Sequence, residues 1–443
     1  MRSMVLPDKQ NIVIGRSKED TAKYGTKGTV LLGKHYIEMD DKYVIHDDVF
    51  LDVSGAHVVF VCGKRGGGKS YTMGVIAEGF SLLEPEIKDN LAIIMLDTMG
   101  IYWSMSHPNK KEKDLLEPYG IEPRGIKVRI FTPEKFYYEY KKKGIPTDDP
   151  FTLDPSTLNA DDWCAAFHLE KYSPEGLLIS KITTELHEKV KKFTLDDLTK
   201  AVKEDKETDR ETQSAVVSMF ETAKGWGVFS DHATPLEELA KGGQITVLDV
   251  SCYATMPGGW DVKALVIGIV AQHLFVHRMK IRKDEEFDDI KYREQYFANA
   301  SGVSLKKKMP LVWLVIDEAH EFLPKDGIVA STQPLVTIMR EGRQPGICLI
   351  MASQQPGKIH TDVMTQSDTV IAHRITARMD VEALSLLAQS YMKEGLSRAM
   401  NFLPRVKGAA VVFDDANEKL YQIRVRPRFT WHGGSSPSAL TDD

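Results

Sequence analysis

Cysteine is scarce in this sequence. Its 443 residues include four, Cys62, Cys164, Cys252 and Cys348, far apart and without a CxxC pair. That excludes a disulfide framework and a thiolate zinc site and leaves them as small core residues. An excess of basic residues is also missing: 57 Lys and Arg stand against 63 Asp and Glu, for a formal net charge of −6. Bulk electrostatics therefore give no case for a polyanionic partner, and the runs Lys110–Lys113, Lys141–Lys143 and Lys306–Lys308 read as solvated loops. No uninterrupted apolar run approaches the roughly 18 residues of a bilayer span. The best candidate, Ala264 to Val276, is broken by Gln272 and His273, so no membrane span is expected. The N-terminus carries Arg2, Asp8 and Lys9 but no apolar core before a cleavage site, so no secretory signal is read and a cytoplasmic location is expected. Self-similarity at a period of about 20 to 50 residues is absent as well.

What is present is an ordinary globular composition, 42% hydrophobic and 27% charged. Thr29 to Val53 alternates and is rich in β-formers, which predicts a small N-terminal β-unit over 1–54. His57 to Cys62 then reads as a buried strand, followed by a glycine loop and a helix from Ser70 to Leu83. Further buried strands are expected at Leu91 to Leu96, ending at Asp97, and at Lys127 to Phe131. Over 134–240 strand signals give way to polar helical segments such as Pro174 to Lys192, an inserted helical bundle. Strand patterning resumes at Ile245 to Val250, Leu311 to Ile316 and Ile347 to Met351, with a long amphipathic stretch from Val262 to Arg282. Two more strands, Ala409 to Phe413 and Leu420 to Val425, precede a tail, 435–443, expected to be disordered. Strands alternating with helices imply an α/β fold with a doubly wound sheet, its core split into 55–133 and 241–434 around the insertion.

Residues 63–70, GKRGGGKS, fit G-x-x-x-x-G-K-[ST] between a buried strand and a helix. Gly63, Gly66, Gly67 and Gly68 free the backbone to curl around phosphate, and the helix N-terminus adds partial positive charge. Lys69 is expected to neutralise the β- and γ-phosphates of ATP, Ser70 to give its hydroxyl to Mg2+, and Tyr71 to lie in the nucleotide contact. In LVWLVIDEAH an apolar strand delivers two adjacent carboxylates: Asp317 suits a metal contact and Glu318 a general base, or the pair caps the following helix. In ICLIMASQQP a strand ends beside Gln354, placed to sense a γ-phosphate or position water. Arg340 and Arg343 in IMREGRQPG sit where a guanidinium reaches a neighbouring subunit's nucleotide or makes a surface ion pair. His320 either packs or joins the site.

These motifs, together with DTMGIYW after the second core strand, ASQQPGKIHTDVMTQSDTVIAHRI and the terminal VRPRFTWHGG, resemble the HerA family of hexameric DNA translocases from about residue 28 to 434. The resemblance implies a RecA-like P-loop NTPase core with an inserted helical bundle, a barrel-like N-terminal domain, a homo-hexameric ring around double-stranded DNA and a NurA-like nuclease partner. It further implies that Asp97 sits near the catalytic site, that Glu318 is the base, Arg343 the finger acting in trans and Gln354 the sensor. Tyr421, Gln422 and Gly433 become candidate nucleotide contacts. The sequence departs from the family in its short N-terminal region, in Lys64 and Arg65 within the loop, and in Ala56 or His57 where an Arg is common. The expected function is an ATP-driven ring motor acting with a nuclease in DNA end processing or defence. Two alternatives stand beside it: a DNA-pumping motor for packaging or transfer, and an ATP-dependent scaffold that regulates an effector without moving DNA.

Overall fold

The computed structural model describes residues 8–39, 42–296, 309–375, 378–387 and 393–434. The Lys306–Lys308 run and the tail expected after 434 lie outside them. Among the described residues, thirteen strands form one sheet: β1 (Asn11–Ile14), β2 (Thr29–Met39), β3 (Lys42–Asp52), β4 (Val58–Cys62), β5 (Leu91–Asp97), β6 (Arg129–Pro133), β7 (Asp149–Phe151), β8 (Ile245–Asp249), β9 (Leu311–Ile316), β10 (Ile347–Ser353), β11 (Thr369–His373), β12 (Ala409–Asp414) and β13 (Lys419–Val425). Their order is β1-β3-β2-β13-β12-β11-β4-β10-β9-β5-β8-β6-β7.

From β11 to β7 every neighbouring pair is parallel. A parallel strand covered on both faces needs apolar residues at every position, and β5 and β10 are buried along their full lengths. The topology sets the functional geometry. The P-loop strand β4 lies between β10 and β11, and β10 separates it from β9. Registers such as Ser353↔Cys62 and Leu96↔Ile316 bring the C-terminal ends of β4, β10, β9 and β5 to one edge, where ligands of open α/β sheets bind.

The N-terminal strands do not close into a barrel-like unit. β2 and β3 form a hairpin continuous with the main sheet through β2 and β13, with Ile423 opposite His35. Buried Arg16 pairs with Asp52 at 2.8 Å, and Asn417 Nδ2 donates to the Arg16 carbonyl, tying this edge to the C-terminal strands. The region 134–240 is largely helical but includes the short strand β7, paired with β6. Helices Pro174–Lys189, Leu195–Glu204 and Arg210–Trp226 start at Ser173, Thr194 and Asp209, whose side chains accept first-turn N–H groups. Trp163, Phe167, Phe220 and Trp226 fill their centre.

The amphipathic stretch at 262–282 is part of a longer helix, Gly259–Tyr296. Against the sequence reading, Gly259–Lys291 is long and apolar enough to cross a bilayer by length and composition, yet 67% of its most apolar window is buried inside the fold. Val262, Leu265, Val266, Ile269 and Leu274 belong to the main core. Apolar content here serves packing. Strand β11 was not separated from its surroundings by sequence pattern, and β6 lies two residues later than expected.

Candidate nucleotide site

Helix Lys69–Phe80 begins at Gly68, whose φ of +107° is a conformation that L side chains rarely adopt and whose lack of a side chain leaves the helix uncapped. The first bond from its opening turn runs from Thr72 N to the Gly68 carbonyl at 2.8 Å. The N–H groups of Lys69, Ser70 and Tyr71 are thus left to point out of the helix end, a ready anion site. Lys69 is buried and makes no ion pair among the described residues.

The loop is braced from β11. A Cβ on Gly63 would stand 2.7 Å from His373 Cβ, and one on Gly68 would lie 3.5 Å from His373 Cε1. Lys64 N donates to the Arg374 carbonyl at 3.4 Å. His373 is fully buried, and burial pushes its pKa down to about 4, so it is neutral near pH 7. Its Nδ1 lies 3.2 Å from the Ala409 carbonyl, an acceptor, so Nδ1 carries the proton and Nε2 accepts from Thr72 Oγ1 at 2.8 Å. Sequence reasoning missed this residue: it sits about 300 positions from the loop, and only the β11–β4 pairing brings the two together.

Across the edge, Ser70 Oγ donates to Asp317 Oδ2 at 2.5 Å. The pair suggested by two motifs is therefore one contact. A hydroxyl and a carboxylate are the hard oxygen ligands Mg2+ prefers. Glu318 follows in a left-handed backbone conformation, φ 50° and ψ 42°, and its Oε2 is buried without a hydrogen-bond partner, consistent with a group that completes its contacts when the site is filled. Burial raises the pKa of Asp317, and burial and then Asp317 raise that of Glu318, while the Gln354 amide favours the charged form of Glu318. These features fit Mg2+ and a nucleotide phosphate. Among the described residues no separate group of three His, Cys, Asp or Glu is placed to hold a metal.

His320 is buried, with Nδ1 3.2 Å from Ser353 Oγ and Nε2 3.4 Å from Gln355 Nε2. It also lies 3.6 Å from Glu318 Oε2 and 3.4 Å from Glu321 Oε1, so it packs against these carboxylates.

Other candidates are held in structural contacts or lie farther off; Asp97 ends β5 beside Asp317. Asp97 is 1% exposed, and its oxygens accept from the backbone N–H groups of Met99, Gly100 and Tyr102 at 3.2, 2.7 and 2.8 Å. Burial and the nearby Asp249 raise its pKa to about 7. The residue expected near the chemistry holds the loop 98–102 in shape. Tyr71 turns from the phosphate loop: its hydroxyl donates to Glu112 Oε2 and accepts from Arg428 N, each at 2.6 Å. Gly433 N donates to Ser104 Oγ at 3.0 Å, beside that same loop. Tyr421 and Gln422 lie on β13, which β12 and β11 separate from β4, about 14 Å away at the usual strand spacing. Tyr421 packs edge-on to His35, and Gln422 donates to the Ala399 carbonyl. Arg340 pairs with Asp362, whereas Arg343 is exposed and makes no ion pair among the described residues. Both line an open depression of about 420 Å³ with Met279, Glu341 and Gln344.

With this geometry in view, residues 44–256 match the family model described as "Helicase HerA, central domain". This part of the chain, just under half of it, is similar to the HerA central domain. It is 29% identical over 145 residues to the probable DNA double-strand break repair helicase HerA of Methanocaldococcus jannaschii, covering 31% of this chain and 27% of that protein. It is 25% identical over 193 residues to the DNA double-strand break repair helicase HerA of Pyrococcus furiosus, covering 42% and 33%. The matched part thus spans a third or less of these relatives' length. The solved structure of VirB4 from Thermoanaerobacter pseudethanolicus aligns at a TM-score of 0.52 and 12% identity over 91% of this chain and 97% of that one. That likeness concerns the fold, an α/β RecA-like P-loop core. The HerA model includes the P-loop but stops before Asp317, Glu318, Arg343 and Gln354; of these, Asp317 contacts Ser70 and Gln354 acts on Glu318, whereas Arg343 lies in the separate depression.

Proposed function

We propose that this protein is an ATP-hydrolysing motor that assembles as a homo-hexameric ring and moves double-stranded DNA. The observation that carries the reading is the contact between Ser70 and Asp317 with Glu318 beside it, its Oε2 buried and without a hydrogen-bond partner. Binding alone needs no such base. The N–H groups around Gly68 and the Lys69 ammonium bind the phosphates. Ser70 and Asp317 would hold Mg2+, which would neutralise charge on the nucleotide phosphates. Glu318 takes a proton from water as the water oxygen bonds to the γ-phosphorus and the bond to the ADP oxygen breaks. Arg343, exposed just after helix Thr332–Glu341 and without an ion pair among the described residues, acts on the nucleotide of the adjoining subunit.

Support for DNA as cargo comes from the similarity to the HerA central domain and from relatives named as DNA double-strand break repair helicases. A mildly acidic chain holds DNA in a ring because a few cations per subunit are repeated around the pore. A NurA-like nuclease in end processing or defence is the partner we favour, in the cytoplasm. The test is displacement of a triplex-forming strand from linear duplex DNA. ATP-dependent displacement that Glu318→Gln abolishes supports the motor. ATP hydrolysis without displacement favours a scaffold that regulates an effector.

A further inference from the structure

Beside the two carboxylates that follow β9 stands a side chain that none of the assigned roles uses. Tyr102 lies on the loop after β5, which the register Leu96↔Ile316 places next to Asp317 and Glu318. The loop's shape is imposed: Asp97 accepts the N–H of Tyr102 at 2.8 Å and Gly100 takes φ +70°. Tyr102 is 1% exposed, yet its hydroxyl has no hydrogen-bond partner. Such an orphan is costly, and buried tyrosines usually find one. Burial, and then the nearby carboxylates of Asp317 and Asp97, hold the pKa of this hydroxyl well above the ordinary tyrosine value, so it remains a donor near neutral pH. A second orphan, Glu318 Oε2, belongs to the same carboxylate pair, and a third, Thr98 Oγ1, to the same loop. Buried oxygens on Tyr102, on Glu318 and on Thr98 of the same loop thus keep hydrogen bonds in reserve at this edge of the sheet.

We infer that Tyr102 is a positioning residue of the hydrolysis site, its hydroxyl donating a hydrogen bond to water held beside Asp317 and oriented toward Glu318. This rests on the ATPase reading above. It also gives Asp97 its function: the carboxylate acts at one remove, by fixing the loop that aims the phenol. Water needs two or more polar partners to be held in a buried site, and the phenol and the carboxylate oxygen supply two.

The test is Tyr102→Phe, which removes one oxygen and keeps the ring. Three readouts separate positioning from packing: kcat for ATP, the affinity for a non-hydrolysable fluorescent ATP analogue with Mg2+, and the melting temperature of the nucleotide-free protein. The expected result is a kcat lowered by about tenfold or more, the scale of losing an aimed donor. Analogue affinity should stay within about twofold, and the apo melting temperature should hold or rise, because the lost hydroxyl bonds nothing in the apo fold. Tyr102→Leu, which removes the ring, should lower melting temperature as well as kcat. A Tyr102→Phe enzyme with unchanged kcat overturns the inference, as does one that loses affinity and melting temperature together. Glu318→Gln, run in parallel, keeps the two readings apart. If it hydrolyses ATP normally, the site reading fails; if it is inactive and Tyr102→Phe is not, only the role of Tyr102 fails.

Discussion

Replacing Glu78 by Gln should destabilise the protein while leaving every surface residue unchanged. Glu78 lies on the P-loop helix and is fully buried with Arg426 and Arg428. One carboxylate oxygen accepts from Arg426 Nη1 and from Phe429 N at 3.1 Å; the other accepts from Thr430 N at 3.0 Å and Thr430 Oγ1 at 2.7 Å. Gln has nearly the same volume, so no cavity opens. Its amide, however, turns an NH2 against one of these donor sets, and two buried guanidinium groups lose their counter-charge. Breaking a buried ion pair from one side costs about 3–5 kcal/mol. With an unfolding entropy of roughly 2.1 cal/mol/K per residue, 443 residues give about 0.9 kcal/mol/K, so the melting temperature should fall by about 3–5 °C. Circular dichroism melts of both proteins at neutral pH measure this directly. A melting point within about 1 °C of wild type would refute the claim that this carboxylate anchors the C-terminal segment to the nucleotide-binding helix.

Three further outcomes are expected. His57 is held between Asp368 at 3.0 Å and Asp52 at 3.7 Å, and although burial opposes its charge, these carboxylates raise its pKa to about 9. A folded pKa above the unfolded value of about 6.5 stabilises fully below pH 6.5, and the gain is lost as pH rises through 9; urea midpoints between pH 6 and 10 should show that decline, flattened in His57→Asn. In Gly63→Ala the new methyl would stand 2.7 Å from His373 Cβ, so ATP-analogue affinity measured by fluorescence should drop at least about tenfold with the strand core intact. Arg343→Ala should cut steady-state ATPase by about 10³-fold with nucleotide affinity preserved. Arg340→Ala, which loses only the exposed end of a pair with Asp362, should change the rate little.

The strands of the core were legible because a parallel strand covered on both faces writes itself as an unbroken apolar run. LVWLVI and ICLIMAS show this, and the P-loop and Asp317–Glu318 followed from their positions at strand ends. The N-terminal hairpin was legible as β but not in its placement: alternation shows that a strand has two unlike faces, and not which sheet it joins. β11 was missed because Thr369–His373 is short and lies in a polar neighbourhood, and with it went His373, whose role depends on pairing with β4. Asp97 was placed correctly at a strand end, but only the geometry shows its oxygens spent on backbone N–H groups. Tyr71 follows the P-loop serine, yet helical geometry turns it toward Glu112 and Arg428. The three candidates Tyr421, Gln422 and Gly433 came from resemblance, and their distance from β4 differs because β13 lies three strands away while the chain after it returns along the P-loop helix.

The most direct test of the motor reading is the steady-state ATPase rate of the purified protein with and without linear duplex DNA, with Glu318→Gln as control. The account predicts Mg2+-dependent hydrolysis that DNA stimulates severalfold and that disappears in the variant. A rate indifferent to DNA, or hydrolysis that survives in Glu318→Gln, would contradict it.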